Sequence, residues 1–97
     1  MRIIKAIATE HGKVTSDTEI TRLDNGQVIL HIVSKLGDAA HEHRVTIGAE
    51  DGKDSIAGMS EADLQATIQG HLNEKREEAA QVLAGRARVA KISGNLV

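Results

Sequence analysis

The spacing of apolar residues changes once along this chain of 97 residues. In the first half apolar and polar residues tend to alternate, which is the period of a β-strand. After residue 60 apolar residues recur every three or four positions, which is the period of an α-helix. The sequence therefore predicts an α+β fold in a single domain: a four-stranded antiparallel β-meander at 1–49, a loop at 50–59, one long C-terminal helix at 60–93 packed on one face of the sheet, and a tail at 94–97.

Short turns separate the four predicted strands, which cover 2–10, 15–23, 28–36 and 41–49. The predicted turn centres are Gly12-Lys13, Asn25-Gly26 and Gly37-Asp38. Asn25-Gly26 is the strongest of these signals, because a two-residue type I′ turn needs positive φ at both central positions. Together the three turns predict which strand positions lie opposite one another.

The three turn centres predict two faces of different character. Pairs expected to lie opposite each other are Ile4 and Thr21, Leu23 and Val28, Thr21 and Leu30, Leu30 and Val45, and Ile32 and His43. The predicted core face collects Ile4, Ala6, Ala8, Leu23, Val28, Leu30, Ile32, Val45 and Ile47. The other face carries large aliphatic residues where a solvated sheet would be polar. We therefore predict an interface on that face, formed by Ile3, Ile7, Ile20, Ile29, His31 and Val33.

The predicted helix has clear signals at both ends. Ser60, followed by Asp63, resembles a capping box, and Gly94 is typical of a helix end. The apolar stripe consists of Leu64, Ile68, Leu72, Ala79, Val82 and Leu83, with Lys75 interrupting it. A helix of this length would measure about 50 Å, whereas a compact domain of this size has a radius of gyration of about 12–13 Å. The helix therefore either breaks near Gly85 or extends beyond its sheet, and we predict an unbroken or slightly kinked helix.

The composition excludes several classes of site. The chain has no phenylalanine, tyrosine or tryptophan and no cysteine. Without aromatic rings it lacks the stacking platforms of most single-strand nucleic-acid modules, and without cysteine it has no disulfide framework and no thiolate zinc site. A core without aromatic side chains is thin, so we expect assembly to complete it.

Two groups of residues suggest metal binding. His41 and His43 have the spacing that puts two imidazoles on one face of a strand. A third ligand would have to be His11, His71 or an acid such as Glu19. Glu50, Asp51 and Asp54 cluster in the predicted loop, but their spacing does not match a calcium-binding loop. We interpret the histidines as a weak candidate metal site and the acids as a solvated loop.

A basic run near the end of the helix suggests nucleic-acid binding as an alternative. It consists of Arg86, Arg88 and Lys91. Cations near a helix C-terminus are also expected from the helix dipole alone. Glu74, Glu77 and Glu78 on the same helix and the formal net charge of -2 weaken the nucleic-acid interpretation.

The sequence predicts a protein that is not an enzyme. It contains no nucleophile elbow, no phosphate-binding glycine loop and no dinucleotide-binding fingerprint, so neither a cofactor nor a small-molecule substrate is expected. No segment resembles a targeting sequence or a membrane span, which favours an intracellular, soluble protein. We predict an oligomerising interaction or assembly subunit, for instance a phage structural or accessory component, that binds itself or another protein.

Overall fold

A computed structural model describes residues 1–22, 27–48 and 56–96, and it has the α+β architecture that the sequence predicts. Four strands form one antiparallel sheet in chain order: β1 (Arg2–Thr9), β2 (Gly12–Arg22), β3 (Val28–Leu36) and β4 (Ala39–Ile47). A short 3-10 turn at Ile56–Gly58 precedes helix α1 at Glu61–Ser93, which packs on one face of the sheet. In the described part of the chain, no helix is long and apolar enough to cross a membrane.

Helix α1 begins and ends where the sequence predicts. The Ser60 side chain accepts a hydrogen bond from the backbone N–H of Asp63 at 3.1 Å, which satisfies one of the free donors of the first turn. Gly94 caps the other end, and its N–H donates to the carbonyl of Ile92. The helix runs unbroken through Gly85, so the alternative of a break at that residue does not occur.

The hairpin of β3 and β4 has the predicted register. Ile32 lies opposite His43 and Leu30 opposite Val45. The turn is Gly37-Asp38, and Gly37 adopts a φ of 59°, which costs a glycine little and disfavours any residue with a Cβ atom.

The turn between β1 and β2 lies two residues earlier than predicted. It consists of Glu10 and His11, because Thr9 pairs with Gly12. Ile4 consequently lies opposite Asp17 instead of Thr21. A turn shifted by two residues preserves the alternation of faces, so this error alone does not exchange the two sides of the sheet.

The register between β2 and β3 differs from the prediction by one residue, and this does exchange the faces. Ile20, not Thr21, lies opposite Leu30. Asn25-Gly26 and Leu23 lie outside the described residues, so the predicted turn itself is not described. Because side chains alternate along a strand, a one-residue offset reverses β1 and β2 relative to β3 and β4.

The predicted composition of the two faces is therefore wrong for β1 and β2. Ile3, Ile7 and Ile20 belong to the face that α1 covers. Ile4, Ala6 and Ala8 lie on the opposite, open face, in the strand positions that alternate with them. The physical reason is the pattern of β2: burying Val14 and Ile20 leaves the charged residues that alternate with them on the open side.

The core between sheet and helix consists of two aliphatic clusters. The first cluster contains buried Val28, Leu30, Ile32, Ile47 and Leu72, with Ile3, Ile20, Val45, Ile56 and Ile68 packed around them. The second cluster contains buried Val14, Ala80 and Leu83, with Ile7, Leu36 and Ala39 packed around them. Leu83 is the last buried residue of α1, and no residue of the helix after it belongs to either cluster.

The molecule is elongated because α1 is longer than the sheet. The principal extents are 57 × 23 × 18 Å and the radius of gyration is 16.3 Å, against about 12–13 Å for a compact domain of this size. Of the two possibilities that the sequence left open, the structure has the helix that extends beyond its sheet.

Candidate functional site

The last turn of α1 and the residues just after it carry apolar side chains that are exposed to solvent. Val89, Ile92 and Leu96 are 65%, 47% and 72% exposed. Val89 and Ile92, three residues apart, lie on one side of the helix, and Leu96 follows shortly after the helix ends at Ser93. We call these three residues the helix-end stripe. The apolar stripe predicted from the sequence ends at Leu83 and does not include these residues, although Val89 and Ile92 are also three positions apart.

An apolar groove lies at the opposite end of α1. It has a volume of about 480 Å³. The start of β1, the end of β2 and the first turns of α1 form its walls: Met1, Ile3, Ile20, Glu61, Leu64, Gln65, Ile68, Gln69 and Leu72. We call it the N-terminal groove. Its apolar residues come from both the sheet and the helix, while Glu61, Gln65 and Gln69 supply its polar groups.

The open face of the sheet is more polar than the sequence predicts. Of the predicted interface residues, Ile29, His31 and Val33 lie on this face, where all three are half-buried. Ile4 lies there too and is 65% exposed. These residues stand among polar contacts that cross between strands, such as the ion pair between Arg2 Nε and Asp17 Oδ1 at 2.8 Å and the hydrogen bond between His31 Nε2 and Glu42 Oε1 at 2.7 Å. The predicted interface on this face stays a prediction, with a smaller apolar part than the sequence suggests.

His41 and His43 share one face of β4, as their spacing predicts, and this is the side that faces the helix. Their ring centroids are 4.5 Å apart in an edge-to-face arrangement, and His43 Nε2 lies 3.8 Å from Glu78 Oε1. Burial is the main cause that lowers the pKa of His43, and the neighbouring His41 adds to it.

The described residues do not bring a metal site together. Across 1–22, 27–48 and 56–96, no three histidine, aspartate or glutamate side chains come close enough to hold a metal ion. The third ligands considered from the sequence, His11, His71 and Glu19, are therefore not assembled with the histidine pair. The loop acids Glu50, Asp51 and Asp54 lie outside the described residues.

The basic residues near the end of α1 do not share one surface. Arg86 Nη1 donates a hydrogen bond to the backbone carbonyl of Ala40 in β4 at 3.3 Å. Arg88 and Lys91 instead line a shallow depression with Glu10 and His11 of the turn between β1 and β2. Binding of nucleic acid stays a prediction. The basic residues that would carry it are divided between two places, and the depression with Arg88 and Lys91 also contains the acidic Glu10.

Four polar side chains are buried in the structure, and their burial was not predicted from the sequence. Ser16, Thr18 and Ser34 are fully buried, and Arg76 is only 3% exposed. The hydroxyl oxygens of Ser16 and Ser34 lie 2.7 Å apart and form a hydrogen bond. The helical period contained the signal, because Arg76 lies four residues after Leu72 and therefore on its buried side.

Comparison of the chain with protein-family models, with curated proteins and with solved structures finds no match.

Proposed function

We propose that the protein is a non-catalytic assembly subunit whose copies associate end to end. The helix-end stripe of one copy would occupy the N-terminal groove of the next copy. The observation that carries the proposal is the exposure of Val89 and Ile92, on a helix that extends past its own sheet, and of Leu96 just beyond the end of that helix. Contiguous exposed aliphatic residues of this kind usually mark an interface.

The shapes of the two surfaces favour a second copy as the partner. One surface protrudes and the other is concave, and each is largely apolar. They lie at opposite ends of one helix about 50 Å long. A contact between two different surfaces of the same chain is heterologous, so it builds a ring where its rotation closes and a filament where it does not.

The charges around the two surfaces are complementary. Glu61 lines the N-terminal groove. Arg88 and Lys91 accompany Ile92 along the last turns of α1. A helix end of this kind, seated in the groove of another copy, would bring basic side chains towards an acidic one, and such complementarity favours one orientation of docking over others.

Multi-angle light scattering at micromolar concentration tests the proposal. We expect a mass that is a multiple of 10.3 kDa for the wild type and a monomer for Ile92→Asp, because a buried unpaired carboxylate strongly disfavours an apolar contact. Ile29→Asp on the open face is the matched control and should still assemble. A monomeric wild type would contradict self-association, and a monomer with Ile29→Asp alone would move the interface to the open face.

Cysteine cross-linking tests the specific pairing of the two surfaces, because the chain has no cysteine of its own. We expect a mixture of Gln65→Cys, at the groove, and Asn95→Cys, beside the helix-end stripe, to form a disulfide-linked heterodimer on oxidation. A mixture of Gln81→Cys and Asn95→Cys is the control, since Gln81 is exposed in the middle of α1. Equal cross-linking in both mixtures would show that the contact is not the proposed one.

A further inference from the structure

Each surface of the end-to-end contact carries a charged side chain one helical turn before an apolar one. Arg88 lies four residues before Ile92, and both line the depression beside the turn between β1 and β2. Glu61 lies three residues before Leu64, and both line the N-terminal groove. Residues spaced by three or four lie on the same side of a helix. On both surfaces the charge therefore comes first and the apolar side chain second along the chain direction.

Arg88 and Glu61 are both free to take a partner from another copy. Both residues are exposed, and neither forms an ion pair within the described part of the chain. Of the described residues that line the N-terminal groove, Glu61 alone has a charged side chain. A cation that enters the groove therefore finds an acid at one end of it, in the first turn of α1.

We propose that Arg88 of one copy pairs with Glu61 of the next copy, so that their α1 helices run parallel with a stagger of about 27 residues, the difference between the two positions. The pairing rests on the end-to-end contact proposed above and adds its direction and its register. The same stagger places Ile92, one turn further on, between Leu64 and Ile68 of the groove.

An antiparallel contact would not match the charges in this way. If the helices ran in opposite directions with Ile92 beside Leu64, Arg88 would lie towards Ile68, in the apolar part of the groove. Its guanidinium would lose water there without gaining an acid, which is unfavourable. The order of charged and apolar residues therefore favours the parallel direction.

The length of the molecule agrees with this stagger. At about 1.5 Å per residue the stagger corresponds to a shift of about 40 Å. Because the molecule is 57 Å long, successive copies would overlap over about 17 Å. The part of α1 between Leu83, its last buried residue, and its end at Ser93 measures about 15 Å. The overlap therefore involves the exposed end of the helix and keeps the sheets of successive copies apart.

A reversal of the two charges tests the pair. Arg88→Glu and Glu61→Arg each place like charges opposite each other, and we expect each to weaken assembly about tenfold in light scattering over a concentration series. The double variant Arg88→Glu/Glu61→Arg restores opposite charges and should assemble nearly as well as the wild type. A double variant that stays as weak as the single ones, beside a wild type that assembles, would overturn the pairing and leave the end-to-end contact standing.

Arg88→Glu/Glu74→Arg is the matched control, because it has the same net charge as the reversed pair. Glu74 is exposed on α1 and does not line the groove, so this control should assemble as weakly as Arg88→Glu alone. Recovery in the control as well would show that only net charge matters, and the pairing would be wrong. A monomeric wild type would contradict the end-to-end contact and its direction together.

Distances between spin labels on neighbouring copies test the direction separately, because the chain has no cysteine of its own. Each chain carries one nitroxide, at Glu74→Cys or at Gln81→Cys, both exposed on α1, and is diluted into unlabelled protein. Parallel copies are related by the same shift at every position, so both sites should give about 40 Å between neighbours. Antiparallel helices would give distances that differ by about 20 Å between the two sites, and that result would overturn the proposal.

Discussion

His43 lies between β4 and α1, where its side chain is only 15% exposed. Burial lowers its pKa below the usual value of 6.5, and His41 and Lys75 contribute in the same direction, while Glu78 opposes them. Between the lowered pKa of the folded state and 6.5, the unfolded chain binds a proton that the folded protein does not. The free energy of unfolding therefore falls as the pH drops below 6.5.

We expect His43→Gln to lose part of this acid sensitivity. The measurement is urea unfolding of both proteins at several pH values between neutral and mildly acidic. The difference between the two proteins isolates His43, because the other histidines are present in both. The same fall in stability for wild type and variant would show that the environment of His43 does not disfavour its protonation.

The buried polar residues are the part of the core that was hardest to predict from the sequence. Ser16 and Thr18 are typical of a solvated strand by residue type, and their burial depends on the register of β2. Arginine, the residue type at position 76, is also exposed in most proteins. The helical period does place Arg76 on the buried side of α1, but neither residue type nor period specifies which residues of the sheet lie opposite it.

At the scale of elements, α1 contains a glycine that its structure does not need. Gly85 lies on the exposed side of the helix, and a Cβ atom there would meet nothing within 4 Å. Glycine in a helix interior costs about 1 kcal/mol relative to alanine. We expect Gly85→Ala to raise the free energy of unfolding by about 0.5–1 kcal/mol, measured by urea denaturation.

Gly37→Ala provides the opposite control for this substitution. Gly37 also has open space around it, but its φ is 59°, and a left-handed conformation costs alanine about 1–2 kcal/mol. Stabilisation by both substitutions would show that the turn does not have this backbone conformation. Loss of stability in Gly85→Ala would indicate a bend or a contact at that point of the helix.

The elements that the sequence predicts correctly are those with two independent signals. Helix α1 has a cap at each end and an apolar period between them, and the hairpin of β3 and β4 has a turn glycine and alternating residues that agree. In β2 the signals disagreed: the Asn25-Gly26 turn implied one face, whereas Val14 and Ile20 among charged neighbours implied the other. The second signal was correct because burial of aliphatic side chains outweighs the preference of a two-residue turn.

For the whole molecule, the extension of α1 contributes to shape and adds little to the core. The last buried residue of the helix is Leu83, and Arg86 makes the last described hydrogen bond from the helix to the sheet. We expect a chain ending at Ala87 to retain nearly the same urea midpoint. The radius of gyration of the full chain is 16.3 Å. In small-angle X-ray scattering, the radius of gyration of the shortened chain should fall towards the value of about 12–13 Å that is typical of a compact domain.

The Ile92→Asp variant of the full chain serves as the monomeric reference for this comparison, so that assembly does not enter the scattering. A large loss of stability on truncation would mean that the last turns of α1 support the fold. An unchanged radius of gyration would mean that the end of the helix does not project from the sheet in solution.

The division of the core into two clusters has a consequence for cooperativity. The N-terminal half of α1 is held by the first cluster and the C-terminal half by the smaller second cluster, with Arg76 between them. Local opening in proteins follows such divisions of buried apolar contact. We therefore expect the C-terminal half of the helix to separate from the sheet more readily than the first cluster opens. The domain would then fluctuate as two unequal folding units joined by one continuous helix.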